Sequence, residues 1–505
     1  MLIIPQIPLI DETGIFVAES KTEFGDYAPD SDKAVYHSQN QEYTVTVNGL
    51  ACPVRDCRVS AVPFNRPWPG WQRPFSQTES AGFITFCADE AVTLRVRRQD
   101  DFDRAVLRPL SKGVTPLEQD GELVFTLHEP GKYVLECDGW HHALHIFFDP
   151  IKEYPDAQNA TYVFGPGLHF PGVICLKDND SVYLDKEAVV FGSLYSKGAQ
   201  HLRIFGGGVL NNCCEQRITE QCYENHTKGC LRLYDCTDVV IEDIVLTDSS
   251  TWALSLFGCK GVTVDNVKIV GQWRYNTDGI DLVNCSDIRI QNCFVRSFDD
   301  VISIKGIYDS PRAIQNITVS DCVLWCGWGH TCELGVETSA IEYTDIRFEH
   351  CDVIHTQGPA LAIKNGNHAR IHDIVFEDMR VEFQADSLPA VMQKSDAQVY
   401  DAQGRTAAPQ LIAVDNDPFA IRIKSDQGVR RRFSDHLGTV ENIVFRNISV
   451  HTDSPALHPE IRIASQDGVQ FSDILLDGLW LNGQKQSDLN AFQTEIKNKH
   501  NFILK

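Results

Sequence analysis

A short sequence pattern that recurs from Thr237 onward constrains the fold of this chain more than any other feature. Each copy begins with a polar pair and then alternates apolar and polar residues before an Asn, Asp or Cys. Successive copies start 23, 26, 29, 29, 28, 69 and 31 residues apart. The eight copies start at Thr237, Lys260, Ser286, Gln315, Thr344, His372, Glu441 and Ser472. A unit this short cannot bury its apolar face alone, so neighbouring units must stack.

The pattern within each copy is that of short β-strands, because apolar and polar residues alternate with a period of two. A second short strand segment, such as ALSLF or VISIK, lies between copies, and no copy has a helical period. Two or three short strands in every 23–31 residues predict an all-β fold, namely a right-handed parallel β-helix. The pattern can be traced upstream to about residue 160.

Two segments differ from the repeat. Residues 1–150 contain hairpin-like strands such as YTVTVNG and AVTLRVRR, which predict an N-terminal β-sandwich domain. Residues 151–505 are then the β-helix domain. The 69-residue spacing holds about 40 extra residues, and we expect a long loop insertion near 385–418, of the kind that lines binding clefts.

The charge of the chain narrows the choice of partners. It has 45 basic and 69 acidic residues, a net charge of −24. We therefore expect no nucleic-acid partner and no anionic membrane surface, since both require clustered Lys and Arg. The chain has no stretch of about 20 apolar residues, so we expect no membrane span. Association of the acidic β-helix through its N-terminal domain, as a homo-oligomer, stays possible.

The cysteines and the first residues bear on the compartment. Seventeen cysteines is an odd number, which favours reduced, buried thiols over a disulfide framework. The first residues lack a basic region, and Pro5 and Pro8 interrupt their apolar run, so no signal peptide is expected. These features predict a cytoplasmic protein, whereas a chain that had lost its leader would be secreted.

Carboxylates and a histidine fall at corresponding places in consecutive repeats. The segment NTDGID contains Asp278, the next repeat contains Asp299 and Asp300, and the following one contains His330. Crowded carboxylates cannot all ionise, so one keeps a proton. A protonated carboxyl group and a carboxylate that activates water are the two groups that an inverting glycosidase needs. An isolated Asp–Asp pair would instead be typical of a solvated turn or a calcium ligand.

This set of motifs on a parallel β-helix resembles the polygalacturonase family, glycoside hydrolase family 28. It also resembles the dextranase and isopullulanase family 49, in which a β-sandwich precedes the β-helix. The resemblance implies that Asp299 is the general acid and that Asp278 and Asp300 hold and activate the water. It further implies that His330 helps to hold the protonation state of the acid.

The same resemblance implies substrate contacts. Asn276 would fix Asp278 or contact the sugar, and Lys305 and Lys364 would bind substrate. Further candidates flank the motifs. The aromatic residues could stack on sugars or simply pack in the core. The arginine could bind substrate or pair with the Asp cluster, and the glutamates could face the cleft. These candidates are Trp273, Arg274, Trp328, Glu333 and Glu337.

The chain departs from the polygalacturonase pattern where a uronate would bind. Thr331 follows His330 where the family has Gly, and Ala362 stands where the family has Arg, leaving Lys364 alone. Arg binds a carboxylate in a planar, bidentate way that Lys cannot reproduce. An Arg–Ile–Lys segment does occur at 422–424, but after the insertion. A neutral glycan is therefore a serious alternative to pectin.

These observations predict an inverting glycoside hydrolase acting on an oligosaccharide or polysaccharide. A polysaccharide lyase and a glycan transglycosylase of the fructotransferase kind remain alternatives on the same fold, as does a binding protein with a degenerate site. We expect no cofactor and no metal, because no metal-ligand spacing is present and two carboxylates suffice for hydrolysis.

Overall fold

The computed structural model describes residues 1–6, 20–22, 25–27, 39–65, 75–215, 229–310, 312–393, 398–416, 437–466, 468–469, 471–497 and 499–505. Within these ranges nearly all regular structure is β, and the helices are three single 3₁₀ turns at Phe75–Gln77, Leu110–Lys112 and Ala157–Asn159. None of the helices in these ranges is long and apolar enough to cross a membrane.

The N-terminal region forms two sheets that face each other. A six-stranded sheet has the order β1-β7-β13-β12-β9 with β6 beside β7, and a five-stranded sheet has the order β10-β11-β8-β4-β5. Apolar side chains of both sheets, such as Phe86, Leu94 and Ile146, form one buried core. The strands of this region are β1 (Leu2–Ile3), β2 (Ser20–Thr22), β3 (Gly25–Tyr27), β4 (Tyr43–Val47), β5 (Leu50–Cys52), β6 (Arg55–Ser60), β7 (Thr78–Ala88), β8 (Val92–Arg98), β9 (Ala105–Arg108), β10 (Leu117–Gln119), β11 (Glu122–Leu127), β12 (Gly131–Cys137) and β13 (Leu144–Asp149).

The rest of the chain forms a 31-stranded sheet in which each strand pairs in parallel with the strand one coil away, apart from the antiparallel β41–β42 contact. This confirms the predicted right-handed parallel β-helix preceded by an N-terminal sheet domain. The exact boundary at residue 150 stays a prediction. The strands are β14 (Tyr162–Phe164), β15 (Gly167–Leu176), β16 (Ser181–Leu184), β17 (Ala188–Lys197), β18 (Gln200–Gly206), β19 (Val209–Asn211), β20 (Leu231–Tyr234), β21 (Thr237–Glu242), β22 (Val245–Thr247), β23 (Leu254–Phe257), β24 (Lys260–Asp265), β25 (Lys268–Val270), β26 (Ile280–Val283), β27 (Ser286–Gln291), β28 (Phe294–Ser297), β29 (Ile302–Ser310), β30 (Ile314–Ser320), β31 (Val323–Cys326), β32 (Cys332–Ala340), β33 (Glu342–Glu349), β34 (Asp352–His355), β35 (Leu361–Asn365), β36 (Arg370–Glu377), β37 (Arg380–Phe383), β38 (Gln410–Asp415), β39 (Thr439–Thr452), β40 (Glu460–Ala464), β41 (Phe471–Leu481), β42 (Gln484–Lys485), β43 (Gln493–Lys497) and β44 (Lys499–Leu504).

The coils have three faces. Face A carries the first strand of each repeat, face B the short second strand and face C the third. Face A contains β14, β16, β18, β21, β24, β27, β30, β33, β36, β39, β41 and β44; face B contains β15, β17, β19, β22, β25, β28, β31, β34 and β37; face C contains β20, β23, β26, β29, β32, β35, β38, β40 and β43. Alternate side chains of all three faces fill one continuous core.

The polar residues of the repeat are explained by its turns. The second and seventh residues of every copy have positive φ, for example Asp287 (58°) and Asn292 (55°) in one copy and Asn316 (55°) in the next. Asn, Asp and Gly tolerate this left-handed conformation best. Neighbouring coils also share side-chain hydrogen bonds there, such as Asn316 Nδ2 donating to Asp287 Oδ1 at 2.7 Å.

The sixteen described cysteines are free thiols, and all but Cys87 and Cys175 are buried. Cys259 and Cys285 close successive coils, where each thiol donates to a backbone carbonyl. They are core residues, as predicted from the repeat.

The predicted insertion near 385–418 needs a correction. Residues Gln410–Asp415 form strand β38, which pairs with β35 and β40 and is part of face C. Leu411, Ile412 and Val414 are buried in the common core, so this apolar segment completes a coil. The extra residues therefore precede and follow a strand instead of forming one loop.

The N-terminal sheets pack against face B. Phe83 and Phe147 of the sheets lie in one apolar cluster with Phe294 and Trp325 of the coils. This docking matters for function because the turns that follow face B carry the predicted catalytic residues.

Candidate active site

The predicted catalytic residues lie in the turns that connect face B to face C. Backbone hydrogen bonds stack three consecutive turns, since Gly279 N donates to Asp300 O and Val301 N donates to His330 O, both at 2.8 Å. The repeat spacing thus brings Asp278, Asp300 and His330 side by side.

A glycine allows these turns to approach closely. A Cβ atom at Gly329 would lie 2.5 Å from Asp300 N and 2.6 Å from Asp300 Oδ1. Only glycine fits at this distance from the Asp299–Asp300 turn. The Gly–His pair of the motif therefore has a steric role beside that of the imidazole.

Lys305 is the cation at the centre of the site. Its Nζ donates to Asp278 Oδ2 at 2.9 Å and Asp281 Oδ1 at 2.6 Å, and it lies 3.2 Å from Asp300 Oδ2. Its ammonium also lies 4.3 Å from the centre of the Trp252 ring. The predicted substrate-binding lysine is thus engaged by three carboxylates and an aromatic ring.

His330 is the second cationic side chain of the site, after Lys305. Its Nδ1 lies 2.8 Å from Glu333 Oε1 and 3.4 Å from Asp300 Oδ1, and its backbone N donates to Asp300 Oδ1 at 3.0 Å. Glu333 is fully buried, and its other oxygen accepts a hydrogen bond from Ser303 at 3.1 Å. The imidazole therefore contacts Asp300, whereas the sequence suggested that it acts on the acid Asp299.

Asp299 differs from its neighbours. It is buried, and its Oδ1 accepts a hydrogen bond from the backbone N of Asp300 at 3.1 Å. Among the described residues it forms no ion pair, although Lys305 and His330 act on it from a distance.

These contacts separate the pKa values of the carboxyl groups. Burial, together with the charges of Asp278 and Asp300, raises the pKa of Asp299 well above its usual range. For Asp300, burial is outweighed by Lys305 and His330, which lower its pKa. Burial raises the pKa of Asp278 to about 7, although Lys305 acts in the opposite direction.

The cations respond in the opposite sense. Burial disfavours the charge of His330, but Glu333 and Asp300 outweigh it and raise its pKa to about 10. Likewise the carboxylates raise the pKa of Lys305 despite burial. The site thus holds two cations among a larger number of carboxyl groups, an arrangement that favours a protonated Asp299 beside an ionised Asp300.

One group in the described part of the chain has metal-ligand proximity. Ligand atoms of Asp300, His330 and Glu333 lie within 4.8 Å of one another. The imidazole nitrogen in this set is also the one that faces both carboxylates, so the set serves as an ion-pair network when His330 is protonated. The expectation that no metal is required stays a prediction.

The remaining motif residues differ in their placement. Asn276 is buried in a left-handed conformation two residues before Asp278. Glu337 is buried and acts electrostatically on Asp278 and Lys305. Their predicted roles stay predictions.

Lys364 lies one coil beyond the His330 turn and is already paired. Its Nζ donates to Asp415 Oδ2 at 2.7 Å, and Arg462 donates to the same oxygen at 2.5 Å. Ala362 lies in register with Glu333. In the region where a guanidinium was missing from the sequence, two cations therefore share the carboxylate of Asp415. The Arg–Ile–Lys segment at 422–424 lies outside the described residues.

The structure does not bring Trp273 and Arg274 to the carboxylates. Both donate to Asp248 Oδ1, and Arg274 is fully buried and also donates to the carbonyl of Ser249. The Arg274 guanidinium stacks 4.2 Å from the Trp273 ring centre. A substrate contact would require this buried unit to open, so the geometry does not support the predicted roles.

Trp328 lies in an aromatic wall beside the site. Its ring centre is 4.5 Å from Phe64 of the N-terminal region and 6.4 Å from Phe298. Tyr275 completes the wall and donates to Asn65 Oδ1 at 2.8 Å. Sequence analysis did not predict Phe64 as part of this wall, because its position depends on how the N-terminal sheets dock.

Sequence reasoning also missed the role of Asp281 and Ser303. They lie in register on face C together with Glu333. The two-residue period of the strands GIDLV and VISIK places both side chains outward, and this signal was available in the motif itself.

Comparison with known proteins concerns the part of the chain that carries this site. The family model for glycosyl hydrolases family 28 matches residues 193–415, which include every one of the predicted site residues. The matched segment is less than half of the 505-residue chain, so the chain is similar to this family over its central coils. It is 26% identical to a probable polygalacturonase from Arabidopsis thaliana over 199 residues, covering 37% of this chain and 43% of that protein. It is 31% identical to an exopolygalacturonase from Oenothera organensis over 141 residues, covering 26% and 37%.

The matched segments thus span less than half of these relatives' own length. A solved structure, Dex49A from Penicillium minioluteum, aligns over 100% of this chain and 98% of its own with a TM-score of 0.60. At 13% identity this similarity concerns the fold, and it includes the N-terminal sheets together with the β-helix.

Proposed function

We propose that this protein hydrolyses glycosidic bonds of an oligosaccharide or polysaccharide with inversion, with Asp299 as the general acid. The observation that carries the proposal is the difference between adjacent carboxyl groups. Asp300 contacts both Lys305 and His330, whereas Asp299 forms no ion pair within the described structure. One carboxyl group therefore keeps a proton while its neighbour stays ionised.

The reaction follows from this difference. Asp299 transfers its proton to the glycosidic oxygen, and the bond between that oxygen and the anomeric carbon breaks. Asp300, assisted by Asp278, accepts a proton from the water that attacks the anomeric carbon from the opposite side. Asp299 ends as the carboxylate and the base side holds the proton, so solvent exchange restores the starting state.

We further propose that the sugar at the site is neutral. Lys364 is paired with Asp415, which it shares with Arg462, and Arg274 is buried against Asp248. The position in register with Glu333 is Ala362, which offers no donor. A uronate would place another carboxylate beside an excess of carboxyl groups, where Arg462 and Arg274 are each already paired with a carboxylate. Hydroxyl groups can accept and donate hydrogen bonds there without that cost.

The aromatic wall supports an oligosaccharide substrate. Sugar rings present apolar C–H faces, and Trp328 with Phe64 lies directly beside the acid turn. A cytoplasmic location, which the sequence predicts, would supply oligosaccharides in preference to long polymers.

The test is sugar release from oligogalacturonides beside neutral α-glucan, galactan and fructan oligosaccharides, using wild type and Asp299→Asn. We expect release from neutral oligosaccharides only, inversion of the anomeric centre by NMR, and no release by the variant. Unsaturated products that absorb in the ultraviolet would instead identify a lyase, and products longer than the substrate a transglycosylase.

A paired variant tests the neutral-sugar proposal separately. Ala362→Arg with Glu333→Gln restores a guanidinium and removes a carboxylate from the same coil. We expect this double variant to bind oligogalacturonides more tightly than wild type does. Efficient hydrolysis of galacturonides by the wild type would contradict the proposal.

A further inference from the structure

A second charged site lies between the N-terminal sheets and face B. Arg296, on β28, is buried and is 4% exposed. Its Nη1 lies 3.1 Å from His145 Nε2, and its guanidinium stacks 3.7 Å from the Trp325 ring centre. Within the described ranges no carboxylate forms an ion pair with it.

The groups in direct contact with Arg296 are neutral, while Glu79 and Glu136 act on its charge from a distance. His145 Nδ1 lies 2.8 Å from the carbonyl of Gly82, so this nitrogen donates and Nε2 accepts from the guanidinium. Burial and the charge of Arg296 lower the pKa of His145 to about 3, which keeps the imidazole neutral. Burial also lowers the pKa of Arg296 to about 10, so the guanidinium stays charged at neutral pH.

A buried charge normally has a counter-charge, because removal from water is costly. Every other deeply buried arginine or lysine discussed above has one: Lys305 contacts Asp278, and Arg274 contacts Asp248. Arg296 has a ring and an imidazole instead. A guanidinium has five N–H donors in one plane, and the single contact to His145 uses one of them.

Arg296 also lines a cavity at the same interface. The cavity has a volume of about 30 Å³, room for about two or three water molecules at ~10–15 Å³ each. Its walls come from three parts of the chain: the N-terminal sheets, the coils and the segment after β37. The lining includes Ser60, Trp140, Trp325, His355, Gln357 and Ser387.

We propose that this interdomain cavity binds a small carboxylate, held by the guanidinium of Arg296. The size of the cavity suits a single carboxylate group, and the planar N–H fork matches its two oxygens. The Ser387 hydroxyl and the Gln357 side-chain amide also line the cavity and can supply further hydrogen-bond donors. The carboxylate is either a free small acid or the end group of an acidic sugar.

The cavity adjoins the proposed catalytic turns, since Ser297 and Phe298 also line it and directly precede Asp299. Arg296 lies on face B, and its contacts are with the N-terminal sheets and Trp325, away from Lys305 and Asp278 on the face C side. Binding at the cavity can therefore be measured whether or not the proposed hydrolysis is correct.

The experiment is isothermal titration calorimetry of the full chain with formate, acetate and galacturonate at constant ionic strength, with chloride as the reference anion. We expect saturable binding of formate or acetate to wild type and at least tenfold weaker binding to Arg296→Met. Arg95→Met removes an exposed arginine of the N-terminal sheets and should bind like wild type.

Ser387→Phe provides a second variant in case Arg296→Met fails to fold. The larger Phe side chain occupies part of the cavity from a surface segment and leaves the guanidinium in place, so it should also weaken binding at least tenfold. Galacturonate binding in addition to formate would identify an acidic sugar end as the occupant, and formate without galacturonate a free acid. Absence of carboxylate binding, equal binding by Arg296→Met, or equal binding of chloride would overturn the proposal.

Discussion

Two clusters of buried charged residues in this protein separate the pKa values of their carboxyl groups in the same way, but they differ in solvent exposure. At the domain interface Arg108 pairs with Glu136 at 2.8 Å and also with Glu382, while His355 contacts Glu136. Arg108 and His355 outweigh burial and lower the pKa of Glu136 to about 2, whereas burial raises that of Glu382 to about 7. One ionised and one more readily protonated carboxyl group result, as at the catalytic turns.

The difference lies in access. Each of these interface side chains is at most 7% exposed, whereas Asp299 is 8% exposed and lies beside His330 (26%) and Asp300 (14%). Separated pKa values therefore do not identify a catalytic site by themselves. A protonated carboxyl becomes a general acid only where substrate can reach it, and the face B to face C turns provide that access.

The largest expected effect is on kcat. It is measured by replacing the protonatable carboxyl group of each cluster in turn. Asp299→Asn should lower kcat by about 10²–10⁴-fold, the usual contribution of a general acid. Glu382→Gln also removes a protonatable carboxyl but should leave kcat within about twofold, because no substrate reaches it. Steady-state kinetics on the best substrate of the panel would compare them, and equal losses would contradict the role of access.

Breaking the interface cluster should instead affect stability. Arg108→Met leaves Glu136 and Glu382 buried without their cation, and loss of one partner of a buried pair costs about 3–5 kcal/mol. Urea unfolding monitored by tryptophan fluorescence would measure the loss, and kcat of the folded variant should be unchanged. A variant as stable as wild type would show that the network is not required for docking.

Gly329 tests the geometry of the catalytic turns. Gly329→Ala places a Cβ within 2.6 Å of Asp300 atoms, so the turn must shift, and a displacement of about 1 Å can cost about 10²-fold in rate. Gly165→Ala is the control, since nothing lies within 4 Å of its added Cβ. Equal kcat in the two variants would show that the close approach is dispensable.

The smallest effect concerns pH. The His330 cation lowers the pKa of Asp300, so His330→Gln should raise it. The acid limb of kcat/KM, where the base Asp300 becomes protonated, then moves to higher pH, by about one unit for one lost charge contact. His355→Gln removes the corresponding histidine of the interface cluster and should leave the profile unchanged. An acid limb at the same pH in His330→Gln would rule out control of Asp300 by His330.

The sequence predicted the β-helix and the stacking of Asp278, Asp300 and His330 because a repeat of 23–31 residues carries this information in its spacing. It could not predict the environment of Arg274, because its partner Asp248 lies in a turn one coil earlier. Phe64 was equally hidden, since its contact with Trp328 depends on the docking of two regions that are far apart in the chain.

The strand at 410–415 was missed for a different reason. Its LIAV segment is a short apolar run with no polar alternation, and the extra residues on both sides hide the repeat period. Regular spacing is thus a strong guide within uninterrupted coils and a weak one next to insertions.

The central claim is that Asp299 is protonated while Asp300 is ionised in the free protein. Infrared difference spectroscopy at neutral pH, wild type minus Asp299→Asn and wild type minus Asp300→Asn, tests it without a substrate. The account predicts loss of a carboxylic-acid C=O band in the first difference and loss of carboxylate bands in the second. Loss of carboxylate bands for Asp299→Asn would contradict its assignment as the acid.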